Sequence, residues 1–416
     1  MGEKQGVSTA AATLAVRTYL DGERKNRPLS SSIVRGTVHT APCVEEHARL
    51  YHEGTRTFYQ RFGHPSEEAL VEKVAALEGA ESALVFASGM AAISTSLLAH
   101  LPPGSHVIAA EQIFAQTEEM LRWLEGGCGV DITFIDVRDL QGVASAFRQN
   151  TRLVYLETPS NPMLRVTDIA AVSALAREQG VMVFVDSTFA TPMSQRPLAL
   201  GADLVLHSAT KLLGGHMDVM GGVVAGTAEV LKPIYKMKRL FGGVLDPQAS
   251  WLLLRGIKTL HVRTERIFAS AKALAQLLQR SPAVEFVHYP FLSTHPDFAV
   301  ASRQMSAGGG VVTFSLKGGY PVARKMLNSL RFIQIASSLG GVETVIELPN
   351  DLDWHGKDDL PAETADIGLV RLSVGLEDLG ELAADLSQAL QAAEALRVVE
   401  ELLPAKLSSI DARHDS

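Results

Sequence analysis

Seven short apolar runs alternate with helical patterns between residue 81 and about residue 222, and this alternation most constrains the fold. Each run is continuous in its apolar character, which is typical of parallel strands covered by helices on both faces. Strands that alternate with helices predict an α/β protein with a mostly parallel sheet. The runs read SALVF, HVIAA, ITFID, LVYLE, VMVFVD, DLVLHS and GGVVAG.

One helix and the strand after it can be predicted residue by residue. Thr167 can cap a helix over residues 168–179, which Gly180 can end. Residues 181–185 then read as a buried strand, and Asp186 follows at its carboxyl end. Ligands of open α/β sheets bind at such strand ends. Asp186 is therefore a candidate site residue.

The chain divides into three predicted segments. Residues 1–62 show no clear periodicity and read as an arm, which we expect to be extended, and residues 63–258 hold the strand-rich part. Residues 259–416 mix short strands, GGGVVTFSL and VRLSV, with a terminal helix over 379–396 and a solvated tail after Leu403. We expect a large, mostly parallel-sheet domain and a smaller C-terminal α+β domain.

Composition and charge disfavour several classes of function. The formal net charge of -8 and the absence of Lys and Arg runs argue against nucleic acid and anionic membrane surfaces as partners. Cys43 and Cys128 are the only cysteines, too few for a disulfide framework, and they show no metal-ligand spacing. The first residues, MGEKQGVSTA, do not resemble a signal peptide. We expect a cytoplasmic protein that acts on a small molecule and holds no metal.

Residues 82–101 require a separate test for a membrane segment. They lack Asp, Glu, Lys and Arg and are nearly long enough to span a bilayer. Ser88 and Gly89, however, split the run into a short strand and a later helix. The sequence therefore predicts no membrane span here.

Lys211 follows a buried strand that ends in small hydroxyl residues. In the segment LVLHSATK, Ser208 and Thr210 come just before it. An amine that emerges from a rigid strand end into a partly desolvated pocket can form a Schiff base, and nearby hydroxyls can bind a phosphate. A surface lysine at the start of a loop fits this segment equally well.

Two other strand ends carry candidate groups. Asp186 requires a positive or protonated partner, such as a pyridinium nitrogen, because its strand end is buried. An Asp that caps the next turn is the alternative. Ser88, Gly89 and Met90 connect a strand to a helix, so their backbone N–H groups can face an anion. An ordinary strand-to-helix connection is the alternative there.

Three further side chains stand out from their surroundings. Tyr59 and Arg61 in TFYQRFGHP offer a phenol and a guanidinium, and a solvated pair on a loop is the alternative. Arg371 lies within the apolar strand LVRLSV, where an unpaired charge would be costly, so it can receive a carboxylate. A structural salt bridge to nearby acidic residues is the alternative for Arg371.

Eight short motifs follow one another in an order and at spacings that are specific together, although each alone is weak. They are Tyr59-x-Arg61, SGM at 88–90, ETPSNP at 157–162, VDSTFATP at 185–192, SATK at 208–211, LRGIKTL at 254–260, SLGGVET at 338–344 and LVRLSVGLED at 369–378. Over roughly residues 30–400 the chain resembles the Cys/Met metabolism enzymes, which include cystathionine γ-synthase, cystathionine lyases, methionine γ-lyase and acylhomoserine sulfhydrylases.

This resemblance implies a fold type I, aminotransferase-like subunit with pyridoxal 5'-phosphate as its cofactor. It also implies a homotetramer built from active dimers, in which the N-terminal arm reaches the partner's site. Lys211 would hold the cofactor as a Schiff base and shuttle protons. Asp186 would pair with the pyridine nitrogen, and Asn161 would lie near the phenolic oxygen.

The same resemblance assigns the phosphate and the substrate carboxylate. Ser338 and Arg371 would receive the α-carboxylate of an amino-acid substrate. Tyr59 and Arg61 would bind the cofactor phosphate of the neighbouring subunit. Within the subunit, the phosphate would be held by Ser88, Gly89, Met90, Ser208 and Thr210.

Two departures from the family pattern bear on substrate choice. The family usually has a Tyr that stacks on the cofactor and helps move protons where this chain has Phe114, in EQIFAQT. Phe114 can stack but cannot donate a proton. Family members that handle cystathionine at Cγ usually carry a Glu where this chain has Ser337. The substrate site around Ser337 therefore argues against cystathionine.

Three other departures are His64 and Ser66 in YQRFGHPS and the stretch LPNDLDWHGKDDL at 348–360. We expect these changes to cluster around the mouth of the site and to specialise its substrate choice.

The sequence predicts γ-elimination or γ-replacement on an L-amino acid with a good leaving group at Cγ, such as an activated homoserine or a γ-halo amino acid. β-Elimination from a cysteine-like thioether, or methionine γ-lysis, is the alternative. A NAD-binding dehydrogenase does not fit, because no GxGxxG follows an early strand. Lys211 and Asp186 argue against a noncatalytic protein of the same fold.

Overall fold

The computed structural model describes residues 10–18, 26, 28–55, 57–349 and 368–411. Within these residues, strands build one sheet of seven strands and one of five. All seven apolar runs of the sequence form strands of the larger sheet, as predicted. These strands are β1 (Ser82–Phe86), β2 (His106–Ala110), β3 (Asp131–Ile135), β4 (Thr151–Glu157), β5 (Met182–Asp186), β6 (Leu204–Ser208) and β7 (Gly222–Gly226).

The seven-stranded sheet is mostly parallel, which confirms the predicted α/β class. Its order is β1-β7-β6-β5-β4-β2-β3, and β7 alone runs antiparallel to its neighbours. The carboxyl ends of β4, β5 and β6 therefore meet at one edge of the sheet. Glu157, Asp186 and Ser208 are the last residues of these three strands.

The segment before residue 62 is not extended throughout, so that expectation was wrong. It contains α1 (Ala11–Val16), α2 (Val44–Glu53) and a 3-10 turn at Gln60–Phe62. Helix α2 has no buried residue, carries acidic residues in its first turn and ends at Gly54 in a left-handed conformation. Its sequence signals are acidic residues in the first turn, a terminal glycine and an apolar face on a mostly polar helix.

Helices cover both faces of the large sheet. In β7, Val223 belongs to one apolar cluster and Val224 to another, because successive strand side chains point to opposite faces. Continuous apolar strands are therefore buried on both sides. The surrounding helices are α3 (Pro65–Glu78), α4 (Gly89–His100), α5 (Ala115–Cys128), α6 (Leu140–Ala146), α7 (Ile169–Glu178), α8 (Thr191–Ser194), α9 (Ala228–Phe241), α10 (Pro247–Ile257) and α11 (Leu260–Gln279).

The start of α7 differs from the prediction by one residue. Asp168, not Thr167, is the N-cap, and its side chain accepts a hydrogen bond from Ala171 N at 3.1 Å. A carboxylate at this position satisfies a free N–H group and also interacts favourably with the helix dipole. Strand β5 likewise begins one residue later than predicted and includes Asp186.

The second sheet is mostly antiparallel and has its own apolar core. Its order is β10-β11-β12-β9-β8, and only the short pair β10 and β11 is parallel. The elements are β8 (Val284–His288), α12 (Phe298–Gln304), β9 (Val311–Leu316), α13 (Gly319–Leu327), β10 (Gln334–Ile335), β11 (Val345–Glu347), β12 (Gly368–Ser373) and α14 (Leu379–Asp411).

Two sequence expectations concern membrane segments and the C-terminal region. Residues 82–101 contain β1 and the whole of α4, and none of the described helices combines the length and apolarity of a bilayer span. Helix α14 continues past the predicted end at residue 396. The segment LLPAKL within this continuation contains the helix formers Leu, Ala and Lys and also Pro404, which disfavours a helix interior.

Candidate active site

A cavity of about 360 Å³ opens at the edge of the large sheet where β4, β5 and β6 end. Most of the site residues predicted from sequence line it, and Tyr59 and Arg61 do not. The predicted residues along its wall are Ser88, Gly89, Met90, Phe114, Asn161, Asp186, Ser208, Thr210, Lys211, Ser337, Ser338 and Arg371.

Lys211 lies at the start of a tight turn after β6. Its backbone N–H donates to Ser208 O at 3.1 Å, and its carbonyl accepts from Gly215 N at 2.8 Å. The side-chain Nζ donates to Ser338 Oγ at 2.7 Å. Burial, together with the charge of Arg371, lowers the pKa of Lys211 to about 8. The amine can therefore gain or lose a proton near neutral pH.

Asp186 and Glu157 form a pair of buried carboxyls on neighbouring strands. They are register partners in the pairing of β4 with β5. Asp186 Oδ1 accepts from Thr188 N at 2.9 Å and from Thr188 Oγ1 at 2.5 Å. Burial raises the pKa of both carboxyls, and the charge of Asp186 raises that of Glu157 further. A cation or a protonated ring nitrogen next to Asp186 would relieve this cost.

Glu157 positions the backbone of two residues of the cavity wall. Its Oε2 accepts from Phe114 N at 2.7 Å, and its Oε1 accepts from Asn161 N at 3.1 Å. Both oxygens are thus used to position the backbone of two wall residues. The sequence reasoning included Glu157 only as part of ETPSNP and assigned it no role. Its position at a buried strand end, like that of Asp186, was the available signal.

The turn after β1 leaves room for an anion at the N-terminus of α4. Ser88 caps the helix by accepting from Ala91 N at 3.0 Å. A Cβ added to Gly89 would lie 2.9 Å from Ser208 Cβ, and one added to Gly222 would lie 2.1 Å from Ser88 O. Any residue larger than glycine at these positions would displace the neighbouring atoms. The close approach of these backbones brings the helix N-terminus against the Ser208 hydroxyl, a suitable environment for phosphate.

Arg371 closes the opposite side of the cavity. Its Nη1 donates to Asn161 Oδ1 at 2.9 Å, and its Nη2 donates to Ser338 O at 3.0 Å. Nη2 also lies 2.7 Å from Oε1 of Glu347, a buried carboxylate on the adjacent strand. Ser338 has a left-handed φ of 87°, which costs energy for a residue other than glycine. This backbone conformation places the Ser338 hydroxyl near Lys211 and the Ser338 carbonyl near Arg371.

Glu347 is a functional candidate that the sequence reasoning missed. The alternative considered for Arg371 was a salt bridge to nearby acidic residues, and the structure contains one with Glu347. Burial raises the pKa of Glu347, while Arg371 and Lys211 act in the opposite direction. Glu347 is opposite Arg371 only because β11 pairs with β12, and the separation of 24 positions hides that pairing in the sequence.

Two departures from the family pattern lie in the cavity wall. Phe114 is half-buried and precedes α5, and the exposed Ser337 precedes Ser338. Neither side chain provides a carboxylate or a phenol to the cavity.

The other departures do not all cluster at the mouth of the site, so that expectation was wrong for two residues. His64 is fully buried, with Nε2 2.9 Å from Leu245 O, and Ser66 accepts from Val34 N at 2.6 Å. His64 thus contacts the connection between α9 and α10, and Ser66, in the first turn of α3, binds the backbone of the N-terminal segment. The stretch 348–360 lies outside the described residues from position 350 onward.

Tyr59 and Arg61 belong to a second cavity, of about 590 Å³, which we call the Arg61 cluster. Arg61 Nη1 donates to Arg239 O at 2.9 Å, and the Arg239 guanidinium lies 3.6 Å from the centroid of Phe62. Within the described part of the chain, neither arginine forms an ion pair with a carboxylate. The cluster is lined by Tyr51, Phe58, Tyr59, Arg61, Phe62, Lys236, Arg239 and Leu240.

Comparisons with known proteins agree with this geometry. A family profile described as Cys/Met metabolism PLP-dependent enzyme matches residues 12–391. L-methionine gamma-lyase of Pseudomonas putida is 40% identical over 388 residues, which cover 92% of this chain and 97% of that protein. Cystathionine beta-lyase of Bacillus subtilis is 42% identical over 354 residues, or 83% and 90% of the two chains.

A solved structure is similar over nearly the whole chain. It is cystathionine gamma synthase from Xanthomonas oryzae pv. oryzae, solved in complex with aminoacrylate and cysteine. Its TM-score is 0.86 at 34% sequence identity, and the match covers 93% of this chain and 99% of that one.

Proposed function

This chain belongs to the Cys/Met metabolism PLP-dependent enzymes, and on that premise we propose that it catalyses γ-elimination or γ-replacement on an L-amino acid with a good leaving group at Cγ. The family makes it a carbon–heteroatom lyase or transferase with pyridoxal 5'-phosphate as cofactor. The observation that carries the narrower proposal is Phe114 in the cavity wall, where the family usually has a proton-donating Tyr.

The cavity residues fit the cofactor. The tight contacts at Gly89 and Gly222 bring the N-terminus of α4 and the Ser208 hydroxyl together at the cavity wall, an arrangement suited to a phosphate. Lys211 offers an amine with a lowered pKa, and Asp186 offers a buried carboxyl whose side-chain hydrogen bonds, among the described residues, both go to Oδ1. Bound pyridoxal phosphate supplies an electron sink that stabilises negative charge at the substrate carbons.

The chain's own residues then account for binding and proton movement. Arg371 and Ser338 receive the substrate α-carboxylate, and Asp186 keeps the ring nitrogen protonated. The Lys211 amine removes the proton at Cα and moves protons between carbons of the substrate, for which its pKa of about 8 is suited. Phe114 would pack against the bound cofactor and has no hydroxyl with which to supply a proton.

Leaving-group chemistry follows from Phe114 and Ser337 together. A group that departs as a stable anion, such as acetate, phosphate or chloride, needs little protonation. A thiolate leaving from a thioether needs more help, and a missing general acid typically costs on the order of 10²–10⁴-fold in rate. The absence of a carboxylate at Ser337 also removes a partner for the distal ammonium of cystathionine.

A second candidate is β-elimination from a thioether or methionine γ-lysis. It is favoured by the names of two relatives, a methionine gamma-lyase and a cystathionine beta-lyase. The leaving-group comparison below separates it from the leading proposal.

We further propose that the active unit is a dimer within a homotetramer and that the Arg61 cluster completes the partner's site. Arg61 and Arg239 provide positive charge that no carboxylate of the described residues neutralises, and Tyr59 adds a phenol. An anionic phosphate of a second copy would match this chemistry. The cytoplasm remains the expected compartment, on the grounds of the cysteine content.

The test compares O-acetylhomoserine, 2-amino-4-chlorobutyrate, methionine and cystathionine under identical conditions. We expect the ester and the chloride to be turned over on the order of 10²–10⁴-fold faster than the thioethers. Phe114→Tyr should narrow that difference. Phe189→Tyr, which adds the same hydroxyl to another ring of the cavity wall, should not. Efficient cleavage of methionine or cystathionine by the unmodified protein would contradict the proposal and favour the second candidate.

A further inference from the structure

Glu347 forms an ion pair with Arg371, the residue whose guanidinium we propose to bind the substrate carboxylate. Its Oε1 lies 2.7 Å from Arg371 Nη2, and both residues are 5% exposed. Neither oxygen of Glu347 accepts a hydrogen bond from a described residue, so the contact is an ion pair without hydrogen-bond geometry. This carboxylate is therefore held by charge rather than by a network. Glu157, by contrast, uses both of its oxygens to position the backbone.

The charges around Glu347 come from several elements of the site. Arg371 on β12 and Lys211 after β6 are the cations that face it and favour its ionised form. Glu157 on β4 acts on the same guanidinium of Arg371. Asp186 on β5 lies beside Glu157. The region around Arg371 thus contains two cations and three carboxyls, and a bound substrate adds a fourth carboxyl.

We propose that Glu347 is a resident counter-ion which the substrate α-carboxylate displaces from Arg371, and that Glu347 takes up a proton from solvent as it is displaced. The inference rests on the proposed role of Arg371 in binding the α-carboxylate. It does not depend on the chemistry at Cγ.

The reason is that two carboxylates at one buried guanidinium repel each other, which disfavours the state in which both are ionised. A like charge in the same site strongly raises the pKa of one of the pair. The substrate carboxylate gains hydrogen bonds from Arg371 and Ser338, whereas Glu347 has none to lose. Of the two carboxylates, Glu347 is therefore the one that becomes protonated. No unpaired charge then remains buried.

Proton uptake makes carboxylate binding dependent on pH. Between the pKa of Glu347 in the free enzyme and its higher pKa in the complex, the bound state holds one more proton. Affinity must then fall by up to about tenfold for each unit of rising pH. The resident ion pair also keeps Arg371 neutralised between turnovers, which reduces its attraction for other anions.

The experiment uses the holoenzyme and L-norleucine, an amino acid with no leaving group, and compares it with 1-aminopentane, the same amine without the carboxylate. Dissociation constants come from the change in visible absorption. Proton uptake comes from calorimetry in buffers of different ionisation enthalpy. We expect wild-type protein to take up more protons with norleucine than with aminopentane. Equal uptake for the two ligands overturns the proposal, even if no variant folds.

Two variants sharpen the result. In Glu347→Gln the excess uptake should disappear, and near pH 8.5 norleucine should bind about tenfold more tightly than to wild type, the equivalent of one pKa unit. Glu343→Gln, at an exposed position of the same segment, should behave as wild type. An unchanged excess in Glu347→Gln means that another group takes the proton and overturns the assignment. Norleucine cannot undergo γ-elimination, so failure of the leaving-group proposal leaves this outcome unaffected.

Discussion

The main cavity and the Arg61 cluster differ in how completely one chain can build them. In the cavity, strand ends and one helix start bring an amine, carboxyls, an anion cradle and a guanidinium together. The Arg61 cluster gathers cations and aromatic rings, and within the described residues no carboxylate neutralises its two arginines. The first region brings together all the groups that we propose to be catalytic. For the second region, we propose that it completes the phosphate site of a second copy of the chain.

Replacing Lys211 should have the largest effect. Lys211→Ala removes both the covalent link to the cofactor and the group that moves protons, so turnover should fall by at least about 10⁴-fold. The visible absorption of the lysine-bound cofactor, which borohydride removes in wild type, should be missing. Lys272→Ala, at an exposed position of α11, should keep that absorption. A fully active Lys211→Ala protein would end the assignment of the cavity as the catalytic site.

Replacing Asp186 should have the next largest effect. Asp186→Ala should retain part of the cofactor but lose on the order of 10²–10³-fold in the exchange of the substrate α-proton, because the ring nitrogen is no longer kept protonated. Exchange can be followed by NMR in D₂O. The exposed Asp218→Asn is the control. Wild-type exchange in Asp186→Ala would refute the role of the carboxyl.

Mixing two inactive proteins tests whether the Arg61 cluster serves the partner's cavity. Arg61→Ala weakens the phosphate contact, and Lys211→Ala removes the catalytic amine. In a hybrid dimer, one of the two sites has both residues intact, so an equal mixture after random exchange should recover about a quarter of wild-type activity. Activity is measured after subunit exchange has been verified with distinguishable tags. No recovery despite exchange would mean that the two regions do not share a site.

The smallest predicted effect is on stability. Burial lowers the pKa of Lys211 to about 8, so the unfolded chain binds more protons than the folded one between pH 8 and 10.5. Stability of the cofactor-free protein should therefore rise with pH across that window. Lys211→Met should remove up to about 3 kcal/mol of this pH dependence, measured by urea unfolding. Replacement of the exposed Lys236 should leave it unchanged, and an identical profile for Lys211→Met would contradict the burial argument.

The sequence was most informative where a site residue ends a strand. Lys211 and Asp186 follow apolar runs, and the rule that ligands bind at the carboxyl ends of parallel strands places them together. The same rule applies to Ser88 and Gly89, which lie between the end of a strand and the start of a helix. Their roles remain predictions, but their meeting in one cavity could be expected without any coordinates.

The sequence was least informative where contacts depend on pairing between distant segments. Glu347 meets Arg371 only through the register of β11 with β12, and no local pattern marks that register. Helix α2 was missed because it is short and mostly polar, although its few apolar residues lie on one face. Local patterns specify elements, whereas antiparallel pairing across a long connection is decided by packing that one sequence does not display.

The reversed strand β7 has a consequence for synthesis on the ribosome. Ser82 of β1 pairs with Gly226 of β7, 144 residues later, and among the described strands β1 has no other neighbour in its sheet. At about 5–20 residues per second, the nascent chain holds β1 for roughly 7–30 s before its partner is made. The close contact of Gly222 with Ser88, which borders the proposed phosphate site, also forms only after β7 is made. Ribosome pausing before residue 226 should therefore leave an apolar strand exposed and the proposed anion site unformed.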